Sequence, residues 1–167
     1  MRLTGIDGSD NHNAPSDPGH AGSINSPTTV VEAEELSVAA ILEGIRRGRV
    51  FIDLTASHDK VIDLSATASL QRARMGESLA ASASVPVTVE AHLAACEQYT
   101  VHLFLDGVEV PALPPMQIPS ADATVQHQWN GDGARHWIRA EARDTNGSLV
   151  LVSNPIYINY APAKESY

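Results

Sequence analysis

Two stretches with alternating apolar and polar residues, VPVTVEAHL (85–93) and YTVHLFLDG (99–107), decide the fold class of this chain. Alternation with a period of two sends successive side chains to opposite faces of a β-strand, so one face of each stretch is expected to be buried. The side chains predicted to point inward are Val85, Val87, Val89, Ala91 and Leu93 in the first stretch and Tyr99, Val101, Leu103 and Leu105 in the second. Asp106 and Gly107 then predict a tight hairpin turn.

The same strand-like composition continues on both sides of these stretches. VIDLSATA (61–68) precedes them, and ATVQHQWNGDG, ARHWIRAEARDTNG and SLVLVSNPIYINY (123–160) follow, separated by Gly and Asn turns. Six or seven short strands at this spacing indicate an antiparallel β-sandwich of immunoglobulin-like type over residues 61–160, with residues 161–167 as a tail. The absence of a Cys…Trp…Cys spacing argues against an antibody-type domain. Residues 61–160 are therefore predicted to form a domain that folds without residues 1–60.

Residues 1–60 have a mixed α and β pattern, which makes the predicted fold class α+β. The predicted order is a strand at RLTGI (2–6), a polar loop, a strand at PTTVVEAE (27–34), a helix at SVAAILEGIRRG (37–48) and a strand at RVFIDL (49–54). Ser37 suits the N-cap of the helix and Gly48 suits its end. The spacing of apolar residues predicts one buried helix face, formed by Val38, Ile41, Leu42 and Ile45.

The composition narrows the partners of the chain. Its 167 residues carry a formal net charge of −9, which argues against binding to nucleic acids or to anionic membrane surfaces. No run of 18 apolar residues occurs, so no membrane span is expected. The N-terminus has no apolar segment typical of a signal peptide, and the expected location is cytoplasmic by default. The single cysteine, Cys96, leaves no internal disulfide to form.

The loop GSDNH (8–12) carries the chemistry that a metal site requires. Asp10 and His12 are two residues apart, so on an extended segment both side chains would point the same way and converge on one cation. A carboxylate with an imidazole suits Zn, Mn or Fe, and Gly8 allows a sharp turn before the pair. The alternative is an ordinary polar turn, because Asp, Asn, Ser and Gly are common turn residues.

A wider segment resembles a known enzyme family. TGIDGSDNH (4–12), followed by SPTTVVEAEELSVAAILEGIRRGRVFIDL (26–54), resembles the C-terminal end of the CehA/McbA-type metallohydrolases of the polymerase-and-histidinol-phosphatase (PHP) superfamily. Gly8, Ser9, Asp10 and His12 match the family's last metal-binding segment, Gly-Ser-Asp-x-His. The resemblance implies a distorted βα barrel, with residues 1–60 as its C-terminal remnant. It also implies a centre of two or three divalent metals that hydrolyses phosphoesters, carbamates or related small-molecule esters.

The chain departs from that family in its other ligands. No His-x-His pair occurs, and the family's mid-chain ligands are absent. A catalytic metal normally takes at least three protein ligands, and Asp10 and His12 supply two. His20 is the candidate for a third, while Gly8 and Ser9 would support the loop. The chain is therefore predicted to supply the last two ligands of a longer hydrolase, to hold no catalytic residue of its own and to be inactive alone.

Other candidate residues have ordinary structural interpretations. Asp17, His58 and Asp59 are expected in solvated loops, and His92 and His102 on polar strand faces with cross-strand contacts at best. Trp129 and Trp137 could form a sugar-stacking pair, although such residues more often pack in a core. These features keep a second function open, namely a noncatalytic β-sandwich module for domain packing, carbohydrate contact or protein contact.

The missing barrel strands also predict how the chain behaves alone. Apolar surface in residues 1–55 would lack its usual cover, and exposed apolar patches favour self-association. The sequence therefore predicts either a homo-oligomer formed through residues 1–55 or disorder in that region.

Overall fold

A computed structural model describes residues 2–12, 26–110 and 114–161. In that part of the chain there are thirteen strands and one helix. In chain order they are β1 (Thr28–Val31), α1 (Val38–Arg47), β2 (Val50–Asp53), β3 (Val61–Ala68), β4 (Gln71–Arg74), β5 (Ser78–Leu79), β6 (Pro86–Ala94), β7 (Thr100–Leu105), β8 (Val108–Glu109), β9 (Met116–Gln117), β10 (Asp122–Asn130), β11 (His136–Arg143), β12 (Leu149–Ser153) and β13 (Ile156–Ile158).

The strands form two sheets that share one core. In the larger sheet β11 pairs with β7 along one edge, and with β12 and β13 along the other. That sheet runs β1-β2-β12-β11-β13-β5, and the smaller one runs β10-β6-β3-β4. Buried side chains from both sheets belong to a single hydrophobic cluster. The described chain is thus mostly β, and the predicted β-sandwich is confirmed. None of its helices is long and apolar enough to cross a bilayer.

The alternation of the two deciding stretches matches the observed burial. Val87, Val89, Ala91 and Leu93 of β6, and Val101 and Leu103 of β7, are almost fully buried. The remaining predicted inward residues, Val85, Tyr99 and Leu105, are half-buried near strand ends and pack against the same core. Asp106 and Gly107 have φ angles of 51° and 85° and join β7 to β8, as the Asp-Gly pair predicts.

The larger sheet includes strands from both sides of residue 60. β2 pairs with β12 in the register Leu151 with Asp53 and Ser153 with Phe51, and β1 extends the sheet beyond β2. Val50 and Phe51 of β2 are buried. The predicted domain boundary therefore lies between strands that hydrogen-bond to each other within one sheet.

Helix α1 begins and ends where the sequence predicts. The backbone N–H of Ala40 donates to Ser37 Oγ at 3.1 Å, and Gly48 ends the helix in the left-handed conformation with φ 72°. The predicted buried face is wrong for Val38 and Leu42, which are exposed. The reason is that the helix packs through its small residue Gly44, where a Cβ would lie 2.5 Å from the Glu32 carbonyl oxygen.

The predicted strand at residues 2–6 is also wrong. Residues 2–12 form no strand, although the composition of RLTGI resembles that of one. The segment is held instead by side chains of β1, β13 and the turn before β13, since these side chains bond its backbone as strand partners would.

Candidate functional site

Three side chains fix the N-terminal segment, residues 2–12, to the larger sheet, each by a pair of reciprocal hydrogen bonds. The Tyr157 hydroxyl accepts from Leu3 N at 2.8 Å and donates to Leu3 O at 2.7 Å. The amide of buried Asn154 accepts from Gly5 N at 2.7 Å and donates to Gly5 O at 3.0 Å. These bonds take the place of strand pairing at Leu3 and Gly5, because they satisfy the backbone donor and acceptor of both residues.

Thr29 of β1 makes the last of these anchors, at the entrance of the polar loop. Its hydroxyl accepts from Asp7 N at 3.0 Å and donates to Asp7 O at 2.7 Å. Gly8 N then donates to the Asp7 carboxylate at 2.8 Å, so the chain turns directly after the anchor. Ser9 is half-buried beside this turn. The loop that carries Asp10 and His12 therefore starts from a fixed point on an edge strand.

Asp10 and His12 lie next to each other in this loop. The Asp10 Oδ1 and His12 Nε2 atoms are 3.4 Å apart, and the two side chains are 94% and 87% exposed. From the sequence, strand alternation was expected to bring them together. That reason is wrong, because residues 8–12 form no strand and Asp10 has a φ of 48°. Aspartate tolerates this left-handed conformation better than most residues, and the bend brings the two side chains together.

The pair fits two ligands of a divalent metal. With metal–ligand bonds of about 2.0–2.2 Å, a tetrahedral ion holds its ligand atoms about 3.3–3.5 Å apart, close to the observed separation. Over residues 2–12, 26–110 and 114–161 no group of three or more His, Cys, Asp or Glu side chains is arranged so that it could hold a metal ion. His20 and Asp17 lie outside the described residues. The described residues therefore supply two candidate metal ligands, Asp10 and His12, and a complete metal centre would need further ligands.

His92 and His102 lie on strands and contact neighbouring strands, and His58 lies in a turn, as expected from the sequence. His92 of β6 contacts Asp122 of β10, with 3.0 Å between Nε2 and Oδ1, and His102 of β7 contacts Glu109 of β8, with 2.6 Å between Nδ1 and Oε1. Both are cross-strand contacts. His58 and Asp59 are exposed in the turn after β2.

A histidine that the sequence analysis did not single out is held between two carboxylates. His136 Nδ1 lies 2.6 Å from Asp106 Oδ2, and Nε2 lies 3.0 Å from Asp132 Oδ1. Asp106 also accepts from Trp137 N at 3.0 Å, and the Trp129 ring meets the imidazole edge-on. The sequence signal was the spacing of Asp132 and His136, four residues apart, but nothing in it placed Asp106 opposite them.

The electrostatics of this cluster favour a charged imidazole. Partial burial alone would lower the pKa of His136, but the hydrogen bonds to Asp106 and Asp132 outweigh it and raise that pKa. The pKa of Asp132 is lowered, first by the backbone N–H of Ala134 and then by His136. Because both ring nitrogens face carboxylates, the cluster ties the β7–β8 turn to the start of β11 and offers no free nitrogen for a ligand.

Trp129 and Trp137 do not form a stacking pair on one face. Trp129 is paired with Val87 of the smaller sheet and packs against the core. Trp137 is paired with Tyr157 of the larger sheet, on the opposite face from buried Ile138, and its ring lies over Gly107. The two side chains therefore belong to different sheets, which removes the sugar-stacking interpretation of the pair.

Asp53 and Cys96 are among the other ionisable residues that are buried. Burial alone would raise the pKa of Asp53, but hydrogen bonds from Ser57 and Thr55 outweigh it and lower that pKa. Burial raises the pKa of the Cys96 thiol to about 11, so the thiol is protonated at neutral pH. A buried and protonated thiol is a poor nucleophile, which argues against cysteine chemistry in this fold.

Comparisons with known proteins do not identify a family. Neither a scan of protein-family models nor a search of curated proteins finds a match for this chain. The resemblance to CehA/McbA-type metallohydrolases stays a prediction from the sequence.

Proposed function

We propose that this chain is the C-terminal part of a PHP-type metal-dependent hydrolase that acts on small phosphoesters, carbamates or related esters. In this proposal Asp10 and His12 are two ligands of a Zn, Mn or Fe centre, and its other ligands lie outside the described residues. The observation that carries the proposal is the close approach of Asp10 Oδ1 to His12 Nε2 on a loop that starts at an anchored residue. A divalent ion in such a centre polarises an ester and lowers the pKa of bound water.

The chain's own residues would position that centre. Thr29 and Asn154 hold the backbone of Asp7 and Gly5 by hydrogen bonds, which fixes the start of the loop that carries the two ligands. The structure places no steric demand for glycine at position 8, since no atom lies within 4 Å of the position a Cβ would take and Gly8 is not among the glycines with a positive φ. The proposal also treats β1, α1 and β2 as the remnant of the barrel, and the rest of the sandwich as an immunoglobulin-like domain attached to it.

The metal pair is tested by replacing both ligands. We expect wild-type protein to bind Zn²⁺ weakly, and the Asp10→Ala/His12→Ala variant to bind it about tenfold less tightly, equal to about 1.4 kcal/mol. The measurement is isothermal titration calorimetry at pH 7. A matched control is His92→Ala/Asp122→Ala, which removes another exposed His–Asp pair and should leave zinc binding unchanged. Equal binding by wild type and the Asp10/His12 variant would exclude these residues from the site.

The chain alone should not turn over an ester. Two exposed ligands neither complete a metal's coordination nor exclude water, and both are needed for hydrolysis at a useful rate. With added Mn²⁺ or Zn²⁺, hydrolysis of bis-p-nitrophenyl phosphate should therefore equal that of the metal salt without protein. Turnover that His12→Ala abolishes would contradict this expectation, because it would show a complete site within this chain or between copies of it.

The second candidate function is a noncatalytic β-sandwich module for domain packing, carbohydrate contact or protein contact. It is favoured by the outer face of the smaller sheet, where Gln126, Ser65 and Arg72 surround Glu90 in one hydrogen-bonded polar row. The coding sequence upstream of Met1 would discriminate between the two functions. An in-frame barrel with a His-x-His pair upstream of Met1 would favour the hydrolase, and its absence would favour the module.

A further inference from the structure

An exposed apolar stripe runs along helix α1. Leu36, just before the helix, is 98% exposed, and Val38 and Leu42, one turn apart on the helix, are 76% and 44% exposed. We call these three residues the helix stripe. We propose that the helix stripe is the interface of a symmetric dimer, in which α1 packs antiparallel against α1 of a second copy.

The helix stripe lies outside the face of α1 that contacts the sheet. The helix contacts the sheet through Gly44, which approaches Val31 and the Glu32 carbonyl group and is buried. A helix on a protein surface normally turns its apolar side chains inward and its polar ones outward. Here three large aliphatic side chains remain in water, although burying them in an interface would stabilise the assembly.

The charges beside the stripe select a second copy as its partner. Glu34 and Glu35 are exposed just before the helix, and Arg46, which lies four residues after Leu42 and on the same side of the helix, is exposed in its last turn. An antiparallel arrangement places the acidic end of each helix against the basic end of the other. Two-fold symmetry makes that contact twice, and brings Val38 of each copy toward Leu42 of the other.

The opposite orientation is disfavoured by the same charges. Parallel helices would bring Glu34 and Glu35 of the two copies together, and likewise the two Arg46 side chains. The formal net charge of −9 also disfavours indiscriminate association between copies, so attraction depends on a local match of charges. Arg46 is available for such a match, since its only ion pair within the described chain, with Glu43, is loose at 3.8 Å.

This inference does not depend on the metal site. The helix stripe and the Asp10–His12 loop are tested by different measurements and different variants. Loss of zinc binding would leave the dimer unaffected, and a monomeric protein would leave the zinc titration interpretable.

Sedimentation equilibrium of the full chain, over a concentration series at low salt, tests the dimer. Wild type is expected to approach twice the mass of one chain. Val38→Gln/Leu42→Gln should be monomeric at every concentration while keeping a cooperative thermal melt, because glutamine suits an exposed helix position. The matched control is Leu70→Gln, which removes an equally exposed leucine from the turn between β3 and β4 and should leave the dimer intact.

A charge exchange tests the antiparallel orientation. Glu35→Lys and Arg46→Glu should each weaken the dimer, and the double variant Glu35→Lys/Arg46→Glu should restore it, since both contacts are remade with the signs reversed. Any loss of helix stability caused by the single substitutions is also present in the double variant. Recovery of the dimer in the double variant therefore reports only the contact between copies. A monomeric wild type, a Val38/Leu42 variant that still dimerises, or a double variant weaker than both singles would each overturn the proposal.

Discussion

Replacing Gly76 with alanine is expected to destabilise the fold by roughly 4 kcal/mol, the largest effect of any alanine substitution that we predict. Gly76 lies in the turn between β4 and β5 with a φ of 81°, a conformation that disfavours any side chain. A Cβ there would overlap the Arg47 carbonyl oxygen and lie 2.8 Å from Gly48 Cα. Both obstacles are backbone atoms at the end of α1, so the helix itself must move.

Gly147→Ala is the matched control for this substitution. Gly147 has the same φ of 81°, in the turn between β11 and β12, but nothing lies within 4 Å of its Cβ position. Alanine there should cost only the backbone strain, about 1 kcal/mol. Urea denaturation of both variants gives the two free energies of unfolding. Equal losses would mean that the end of α1 does not pack tightly on the Gly76 turn.

Replacing Asp53 with alanine is expected to lower the free energy of unfolding by roughly 3 kcal/mol. Asp53 is only 2% exposed and accepts four hydrogen bonds, from the backbone N–H and hydroxyl groups of Thr55 and Ser57, at 2.6–2.8 Å. Alanine leaves these donors without their acceptor where β2 leaves the sheet. For a chain of this length the melting temperature should fall by about 6–12 °C.

Asp144→Ala is the control for Asp53→Ala. Asp144 also accepts two backbone N–H groups in a turn, from Asn146 at 2.8 Å and Ser148 at 2.9 Å, but it is half-buried. Its loss should cost about 1 kcal/mol, because water can replace the carboxylate there. Comparable losses from the two variants would contradict the importance assigned to the burial of Asp53.

The same carboxylate predicts a pH dependence of stability. Because the folded-state pKa of Asp53 is lowered, its stabilising contribution is complete above its unfolded-state pKa of about 4. That contribution is lost as the pH falls through the lower folded-state value. Denaturation of wild type at several pH values should therefore show stability falling below about pH 4, and Asp53→Asn should show a shallower decline.

Features that depend on neighbouring residues could be predicted from the sequence. The alternation in β6 and β7 identified their buried faces, since a strand's faces are set by its own period. Ser37, Gly48 and the Asp106–Gly107 turn were predicted for the same reason, because caps and tight turns are decided within a few residues.

Features that depend on distant residues could not be predicted. Periodicity identifies the apolar side of α1 but not whether another element covers it, so Val38 and Leu42 were wrongly placed in the core. RLTGI resembles a strand by composition, yet its partners are side chains about 150 residues away, Asn154 and Tyr157. The carboxylates around His136 meet across a turn and a strand, which no local pattern reveals.

The candidate metal pair lies between these two cases. The spacing of Asp10 and His12 indicated that the two side chains could meet, and they lie 3.4 Å apart. The predicted reason was wrong, since a bend at Asp10 rather than a strand brings them together. Which residue would complete the site cannot be derived from the pair, because the ligands of a metal centre come from distant parts of a chain.

The binding of a divalent ion at Asp10 and His12 is tested most directly by residue-resolved NMR with substoichiometric Mn²⁺, a paramagnetic ion that broadens signals from nearby nuclei. We expect the amide signals of residues 8–12 to lose intensity first and that of Thr29 to follow, because Thr29 anchors the loop. Asp10→Ala/His12→Ala should abolish this pattern. Broadening that is centred on His92 and Asp122, or that persists unchanged in the variant, would contradict this expectation.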